Sequence, residues 1–461
     1  MNRKIFVGLS VIMLMAISPL SSIALIPSSN TIHPSAVTEI TLGGLFPLTG
    51  SLAAGGVERD AAARMAVKEI NANSSLLNGV TLKIEVRDTA TDATTGAAAA
   101  SELIDAGVVG LVGAASSGVS AAIQGVAKQK NIPQISYSST SPTLSNKTEY
   151  PYFLRVVPPD SLQGVALADI INDLGLDNIA TLATSDDYGL GGIGVFEKAA
   201  EDLGLTIKTK QRFADQESSV LSQLNAIKDS GAQVIVLNAV VQNTITVFKQ
   251  AADAGLVGDD VYWFGTDGAT QEQVFETASE TKASMQGMVG TRPNVGTGDA
   301  YNAFLDLWES CYGESNATYA GCGDRNPNTY ATFAYDAVYT FAHSLDKMLA
   351  DGKDVTDGAT LLSYLKDTDF VGATGRITFN AEQDRNGVYD VINLVGDTFE
   401  IVGSYDKASG FKLTGTIDWN GDGAGNPVPT ITSNTKASPG FELFLAFMSI
   451  LALGVMVRKR Y

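Results

Sequence analysis

The chain has 461 residues, 45% of them hydrophobic and 18% charged, so it is long enough for two lobes of ordinary domain size and too apolar to be disordered. Fifty Asp and Glu outweigh 31 Lys and Arg for a net charge of −19, and no internal block is basic enough to neutralise a run of phosphates, which makes nucleic acid a poor partner. The two histidines, His33 and His343, exclude multi-histidine metal sites and any Ser-His-Asp triad that lacks one of them.

At the N-terminus Asn2, Arg3 and Lys4 precede the apolar run Ile5 to Ile17, and the small residues Ser21, Ser22 and Ala24 follow. That order is a secretory signal peptide over residues 1–24, which predicts export. A retained N-terminal helix is the alternative, and the run is short of the roughly 20 residues a span needs. Asn73, Asn146 and Asn316 each open an Asn-x-Ser/Thr sequon, which fits an exported surface.

From residue 39 short β-rich runs alternate with Ala-rich helical stretches. The first series is Glu39 to Phe46, Val80 to Val86, Val108 to Val112 and Ile132 to Tyr137; the second is Asn178 to Ala183, Leu205 to Phe213, Gln233 to Leu237, Val261 to Gly265 and Gly287 to Arg292. Each series predicts a parallel sheet with crossover helices, so the fold class is α/β with two lobes. In the first helix Ala62, Met65, Ala66 and Ile70 share one apolar face that serves packing.

Ligands of open parallel sheets bind beyond the carboxyl ends of strands, which directs attention to the loops there. Ala114-Ala115-Ser116-Ser117-Gly118 opens a helix, and its hydroxyls and free backbone N–H groups suit an anion; Ser138-Ser139-Thr140-Ser141 offers the same chemistry after the next strand. Neither loop carries Lys or Arg, which fits a carboxylate better than a phosphate. Helix-capping is the structural alternative for these hydroxyls. Ser185-Asp186-Asp187-Tyr188-Gly189 and Gly265-Thr266-Asp267-Gly268 end strands of the second series. Asp267 stands where a carboxylate can meet a cation, or where a turn simply needs Asp-Gly. Gly189 to Gly194 matches GxGxxG, yet residues 185–188 separate it from the strand end, and a Gly-rich helix entry explains it equally well. Asp418 to Gly423 resembles the start of a calcium loop whose twelfth position is Pro429 instead of Glu, so no metal site is expected.

Cys311 and Cys322, the only cysteines, stand in a Gly-rich polar stretch; export and the even count predict a disulfide between them. Residues 426–438 read as a spacer, and Leu443 to Val457 is an apolar run followed by Arg458, Lys459 and Arg460. Pro439-Gly440-Phe441 just before it resembles the archaeal surface-protein sorting signal, whose tail an archaeosortase replaces with lipid. That resemblance implies an archaeal cell-surface protein anchored through residues 439–461 to the outer face of the membrane, with a plain C-terminal membrane helix as the alternative.

Over residues 39 to about 405 the chain resembles the extracellular solute-binding proteins of branched-chain amino acid ABC transporters, which have the type I periplasmic binding protein fold. The resemblance rests on the order and spacing of Phe46-Pro47-Leu48-Thr49-Gly50, Ile132-Pro133-Gln134-Ile135-Ser136, Asp187-Tyr188-Gly189, Ala254-Gly255-Leu256, Gly265-Thr266-Asp267-Gly268 and Tyr335-Asp336-Ala337. It implies a first lobe of residues 39–157 plus 291–388, a second of 158–290 plus 389–425, and a hinge near Val157, Arg292 and Tyr389. It implies no cofactor and no catalytic group, and a partner permease that receives the ligand, a small amino acid or an amide. Ser117, Ser138 and Thr140 are then expected at the ligand carboxylate, Asp267 at its ammonium, Tyr188 over it from the second lobe and Tyr335 as a wall. Two departures stand out: Gly55, and Asn238-Ala239-Val240, replace aromatics usual in that family, which reshapes the side-chain end of the pocket. A surface ligand sensor or a structural envelope protein on the same fold, not coupled to import, is the rival reading.

Overall fold

The apolar runs of the first series become parallel strands: the central ones, Leu111–Val112 and Gln134–Ser136, are buried on both faces and lack polar alternation, while the edge strand Thr81–Asp88 alternates polar and apolar residues. The protein is described by a computed structural model over residues 37–258, 260–313 and 327–423. The first sheet holds β1 (Glu39–Phe46), β2 (Thr81–Asp88), β3 (Leu111–Val112), β4 (Gln134–Ser136) and β5 (Phe153–Arg155) in the order β2-β1-β3-β4-β5. Between them lie α1 (Ala53–Ala72), α2 (Ala93–Asp105) and α3 (Ser117–Ala127). Along β1, Ile40, Leu42 and Phe46 join the cluster on one face of the sheet while Leu45 joins the α2 and α3 side, the alternation a strand imposes. β3 is shorter than the predicted Val108 to Val112, because only Leu111 and Val112 pair regularly with β1 and β4.

The second sheet starts after α4 (Asp160–Asp173) and contains β6 (Ile179–Thr184), β7 (Ile207–Phe213), β8 (Val234–Asn238), β9 (Tyr262–Gly265) and β10 (Val289–Pro293) as parallel neighbours. Its connecting helices are α5 (Asp187–Asp202), α6 (Leu221–Ser230), α7 (Val241–Ala254) and the short α8 (Gln273–Thr277) and α9 (Lys282–Met285). The chain then returns to the first lobe for α10 (Asp299–Gly313), α11 (Thr329–Ala350), α12 (Gly358–Lys366) and the hairpin β11 (Asp369–Gly372) and β12 (Gly375–Thr378). It ends on β13 (Tyr389–Val395), β14 (Thr398–Asp406) and β15 (Gly410–Leu413), which extend the second sheet antiparallel from β10. The alternation of strand and helix predicts the parallel part; this antiparallel edge is a departure from it.

The residues read as signal peptide, spacer and C-terminal sorting segment lie outside the described residues, as does Cys322 of the predicted disulfide. The backbone of Cys311 belongs to the last turn of α10 and not to a loop. Asp418 uses its carboxylate on the backbone N–H groups of Asn420, Gly421 and Gly423, so the calcium-like sequence closes a turn on itself.

The chain passes between the sheets three times, and the passages are tied side by side. Arg155, fully buried at the end of β5, donates through Nε to Asp384 Oδ1 at 2.6 Å, through Nη1 to the carbonyls of Ser139 and Ser141 at 3.1 and 2.8 Å, and through Nη2 to Ser145 Oγ at 2.6 Å. Arg385 donates to the Val156 carbonyl at 2.8 Å and Tyr389 Oη to that of Pro158 at 3.1 Å, joining the first and third passages again. Asn294 N donates to the Val388 carbonyl at 3.0 Å. Arg292 still belongs to β10, so the second passage begins after Pro293.

Two predictions follow from this junction. Asp384→Ala leaves the Arg155 charge without its counter-ion in a dry site, and should lower stability by about 3 to 5 kcal/mol in denaturant titration. A loss under 1 kcal/mol would show water reaching the pair. Asp160, first residue of α4 and also buried, has its carboxyl pushed well above the ordinary carboxylate range by burial and then by the nearby Asp267 charge. The stability gained by keeping that proton is full below about pH 4 and is lost as pH rises through the raised folded value. Asp160→Asn should therefore melt higher than the parent at pH 8 and converge with it near pH 4; equal melting at pH 8 would contradict the shift.

Candidate functional site

The loops that follow β3, β4, β6, β8 and β9 converge with the N-terminal parts of α1 and α11 on a cavity between the two sheets. On the first-lobe side, Ala115, Ser116 and Ser117 line it where α3 begins. Ser116 stands at the N-cap but makes no side-chain cap, so the first-turn N–H groups of α3 keep no internal acceptor from it. The Ser117 hydroxyl accepts from Ser141 N at 3.2 Å, which leaves its proton to donate elsewhere. Ser138 lines the cavity from the loop after β4. That loop is held from behind by Ser139, whose hydroxyl reaches the carbonyls of Ala114 and Ala115 at 3.1 Å each, and by Arg155.

From the second lobe come Tyr188, Val240, Val241, Asp267, Gly268 and Gln271. Asp186 caps α5 by accepting from Gly189 N at 2.8 Å, which sets Tyr188 in the first turn facing the cleft. Tyr188 Oη donates to Asp267 Oδ1 at 2.9 Å and accepts from Gly268 N at 3.1 Å. Asn238, buried at the end of β8, donates to the carbonyls of Tyr188 and Gly189 at 3.2 and 3.1 Å. The glycines of the GxGxxG stretch serve that contact: a Cβ on Gly189 would sit 2.2 Å from the Thr184 carbonyl oxygen, and one on Gly192 would sit 2.5 Å from Asn238 Nδ2. The stretch is a packing device for the start of α5.

Asp267 is 2% exposed, and burial raises its carboxyl above the ordinary range while hydrogen bonds from Tyr330 and Tyr188 oppose that rise. Tyr330, in the first turn of α11, donates its hydroxyl to Asp267 Oδ2 across the cleft. Burial pushes both tyrosines well above their usual value, so each remains a donor. The lobes also meet where Asn328 Nδ2 donates to Gln271 Oε1 at 3.0 Å and Gln273 Oε1 at 3.1 Å, and where Ser141 Oγ donates to the Asp187 carbonyl at 2.9 Å.

Ser117, Ser138, Tyr188 and Asp267 thus line one cavity from its two sides, whereas Thr140 and Tyr335 do not line it. Thr140 is fully buried, and its carbonyl accepts from Asp160 N at 2.9 Å. Tyr335 turns away toward α1, where it donates to Glu69 and meets the Phe304 ring edge-on at 5.2 Å. Its neighbour Asp336 accepts from Ala373 N and Thr374 N at 2.9 and 2.8 Å, so the Tyr335-Asp336-Ala337 motif builds the first lobe. The side chain that α11 sends to the cavity is Tyr330, placed by the Asn328 N-cap, which accepts from Tyr330 N at 2.9 Å.

Arg59, on α1, is the other cavity residue that the loop reading misses. It is 4% exposed, lies over the Tyr330 ring at 5.1 Å, and its Nε and Nη1 have no hydrogen-bond partner among the described residues. Burial lowers its pKa below the usual arginine value, against the charges of Glu58 and Asp267. A Cβ on Gly55 would sit 2.9 Å from Arg59 Nη2, the movable end of that side chain. The cue in the sequence is the spacing of Gly55 and Arg59, one helical turn apart in an otherwise Ala-rich helix.

This architecture has known counterparts. The structure is similar to that of the leucine binding protein LivK of Thermotoga maritima, with a TM-score of 0.69 at 21% identity over 80% of this chain and 99% of that one, a likeness of fold. In sequence the chain is 28% identical to rabbit (Oryctolagus cuniculus) metabotropic glutamate receptor 6, over 87% of this chain and 56% of that protein. It is 29% identical to metabotropic glutamate receptor-like protein E of Dictyostelium discoideum, over 67% and 38%, and 25% identical to glutamate receptor 3.7 of Arabidopsis thaliana, over 81% and 42%. The chain therefore spans about two fifths to just over half the length of these relatives. Residues 58–397 match the receptor family ligand binding region, and the chain belongs to that family.

Proposed function

We propose that the protein captures an α-amino acid in the cleft and closes on it by motion about the three passages. One observation carries the reading: donors for a carboxylate on one lobe face a buried carboxylate on the other. Ser117, Ser138 and the open N-terminus of α3 take the ligand carboxylate, and Asp267 takes the ammonium. Tyr188 and Tyr330 hold Asp267 in place from opposite lobes. Thr140 contributes by bracing the loop after Ser138 through its carbonyl bond to Asp160 N. An amide ligand lacks the cation that Asp267 is set to meet, which favours an amino acid over the amides the same fold can hold. The names of the relatives, for glutamate and for leucine, share this zwitterionic head and differ in the side chain.

We read the protein as the surface component of an ABC importer that hands its ligand to a membrane permease, exported and anchored through residues 439–461. The structural likeness to a transport binding protein supports import, while the receptor names among the sequence relatives support the second reading, a ligand sensor. Loss of uptake of the bound amino acid on deletion of the gene supports import, and unchanged uptake supports sensing.

A thermal-shift screen of the twenty amino acids identifies the ligand, since saturation at 100 times its dissociation constant stabilises by about 2.7 kcal/mol. With that ligand, Asp267→Asn should weaken binding by about 10-fold to over 100-fold in calorimetry, because a hydrogen-bonded charge is worth roughly 1.5 to 3 kcal/mol. Unchanged affinity would make Asp267 a turn residue and end the amino-acid reading. Truncation after Ser438 should release the protein into the medium; retention of the truncated chain on the cell surface would refute the C-terminal tether.

A further inference from the structure

The Asn-x-Ser/Thr sequons take no part in the cleft, and the structure describes two of them, Asn73-Ser74-Ser75 and Asn146-Lys147-Thr148. Asn73 ends α1 as its C-cap with φ −93° and ψ 98°; Asn146 ends the short 3-10 helix Pro142–Ser145 with φ −73° and ψ 95°. These separate parts of the first lobe make the same turn. Asn73 Oδ1 accepts from Ser75 N at 3.0 Å, and Asn146 Oδ1 accepts from Thr148 N at 3.1 Å. A backbone N–H can meet only the oxygen of an amide, so each turn fixes which way the side chain faces and leaves Nδ2 on its outer side.

The fold makes no use of that nitrogen: neither Nδ2 has a hydrogen-bond partner among the described residues, and Asn73, Ser74, Ser75, Asn146 and Thr148 are all exposed. Asn71, two residues before Asn73 and equally exposed, shows the contrast. Its Nδ2 donates to the Leu82 carbonyl and its Oδ1 accepts from Leu82 N, each at 2.8 Å, so both ends of that amide are spent on β2. A bulky group on Asn71 would break two bonds, whereas one on Asn73 or Asn146 would break none.

We propose that Asn73 and Asn146 are N-glycosylation sites whose substrate is an oligosaccharide carried on a lipid phosphate. Nδ2 attacks the anomeric carbon, and the new C–N bond forms as the bond from that carbon to the phosphate oxygen breaks. The lipid phosphate leaves with the electron pair, and one Nδ2 proton passes to a base of the membrane transferase. Asn73 lies roughly 20 Å along α1 from Arg59, at 1.5 Å per residue, so sugar there stands clear of the cavity. Residues 158–290 and 389–425 contain no sequon, which confines the sugar to the first lobe and leaves the second bare. The transfer takes place outside the cytoplasm, so this assignment rests on the export expected from residues 1–24.

Tandem mass spectrometry of peptides from the full-length protein, purified from the cells that make it, is the test. Peptides holding Asn73 and Asn146 should carry the mass of one or more sugar residues, and Asn71 should be bare. Ser75→Ala and Thr148→Ala keep the asparagine and the backbone N–H of the turn but remove the hydroxyl, and each should strip the sugar from its own site alone; Thr148→Ser should retain it. Exported protein with Asn73 and Asn146 both bare would overturn the proposal and leave the export reading standing, and this arm needs no variant. Sugar on one site alone would overturn the claim that the shared turn marks both. Sugar that persists on Asn146 in Thr148→Ala would overturn its assignment as a sequon acceptor. Protein found inside the cell and free of sugar would bring down both the proposal and the export on which it rests.

Discussion

The buried Arg155 guanidinium is the interaction on which the cleft depends. It sits where the first sheet ends and the first passage begins, and it binds Asp384 of the third passage. Its other nitrogen donors fix the carbonyls of Ser139 and Ser141, so the same cation that joins two passages also sets the loop that carries Ser138. A single charge in a dry place thus couples the geometry of the hinge to that of the ligand-facing loop. Buried ion pairs of this kind add little net stability over an apolar replacement, yet they tolerate no loose partner. Their value here is positional: the loop has one place to be whenever the passages are in register.

Across the cleft the contacts are of a different kind. Tyr330 to Asp267, Asn328 to Gln271 and Gln273, and Ser141 to the Asp187 carbonyl join the lobes through few hydrogen bonds. Each neutral bond contributes on the order of 1 kcal/mol net, so the closed form is held lightly by the protein alone. A ligand can shift such a balance only by what it gains in the closed form over the open one. Groups that touch both lobes supply that difference, and an amino acid with its carboxylate on α3 and its ammonium on Asp267 does so by construction.

Much of the fold is legible in the sequence because the central parallel strands are covered on both faces and read as apolar runs between helices, with the edge strands β2 and β7 alternating instead. β8 is one of the central runs, buried at all five positions. The antiparallel edge β13 to β15 is less legible, since these strands follow one another without a helix between them and break the strand–helix alternation. In the site, Ser117, Ser138, Tyr188 and Asp267 follow strand ends, where position alone points to the cleft. Thr140 stands two residues beyond Ser138, where the chain has left the cavity lining and its carbonyl meets Asp160 N. Tyr335 and Tyr330 lie on one helix, five residues apart and therefore on different sides of it, and only the capping residue Asn328 shows which turn enters the cavity. Arg59 escapes a reading centred on strand-end loops because it comes from inside a helix.

Asp267 must serve two masters, the tyrosines that hold it and the cation it awaits, and its chemistry permits both. An ionised carboxylate offers about four acceptor sites, and Tyr188 and Tyr330 occupy one on each oxygen. An ammonium can therefore join without displacing either tyrosine. The threat to this arrangement is Asp160, buried close enough for the two carboxyls to act on each other. Were both ionised, their repulsion would raise the cost of closing the cleft and would call for a second cation. Burial keeps the proton on Asp160 well above the pH at which an exposed carboxyl loses it. The hinge acid stays neutral, and the negative charge that faces the ligand is left to Asp267 alone.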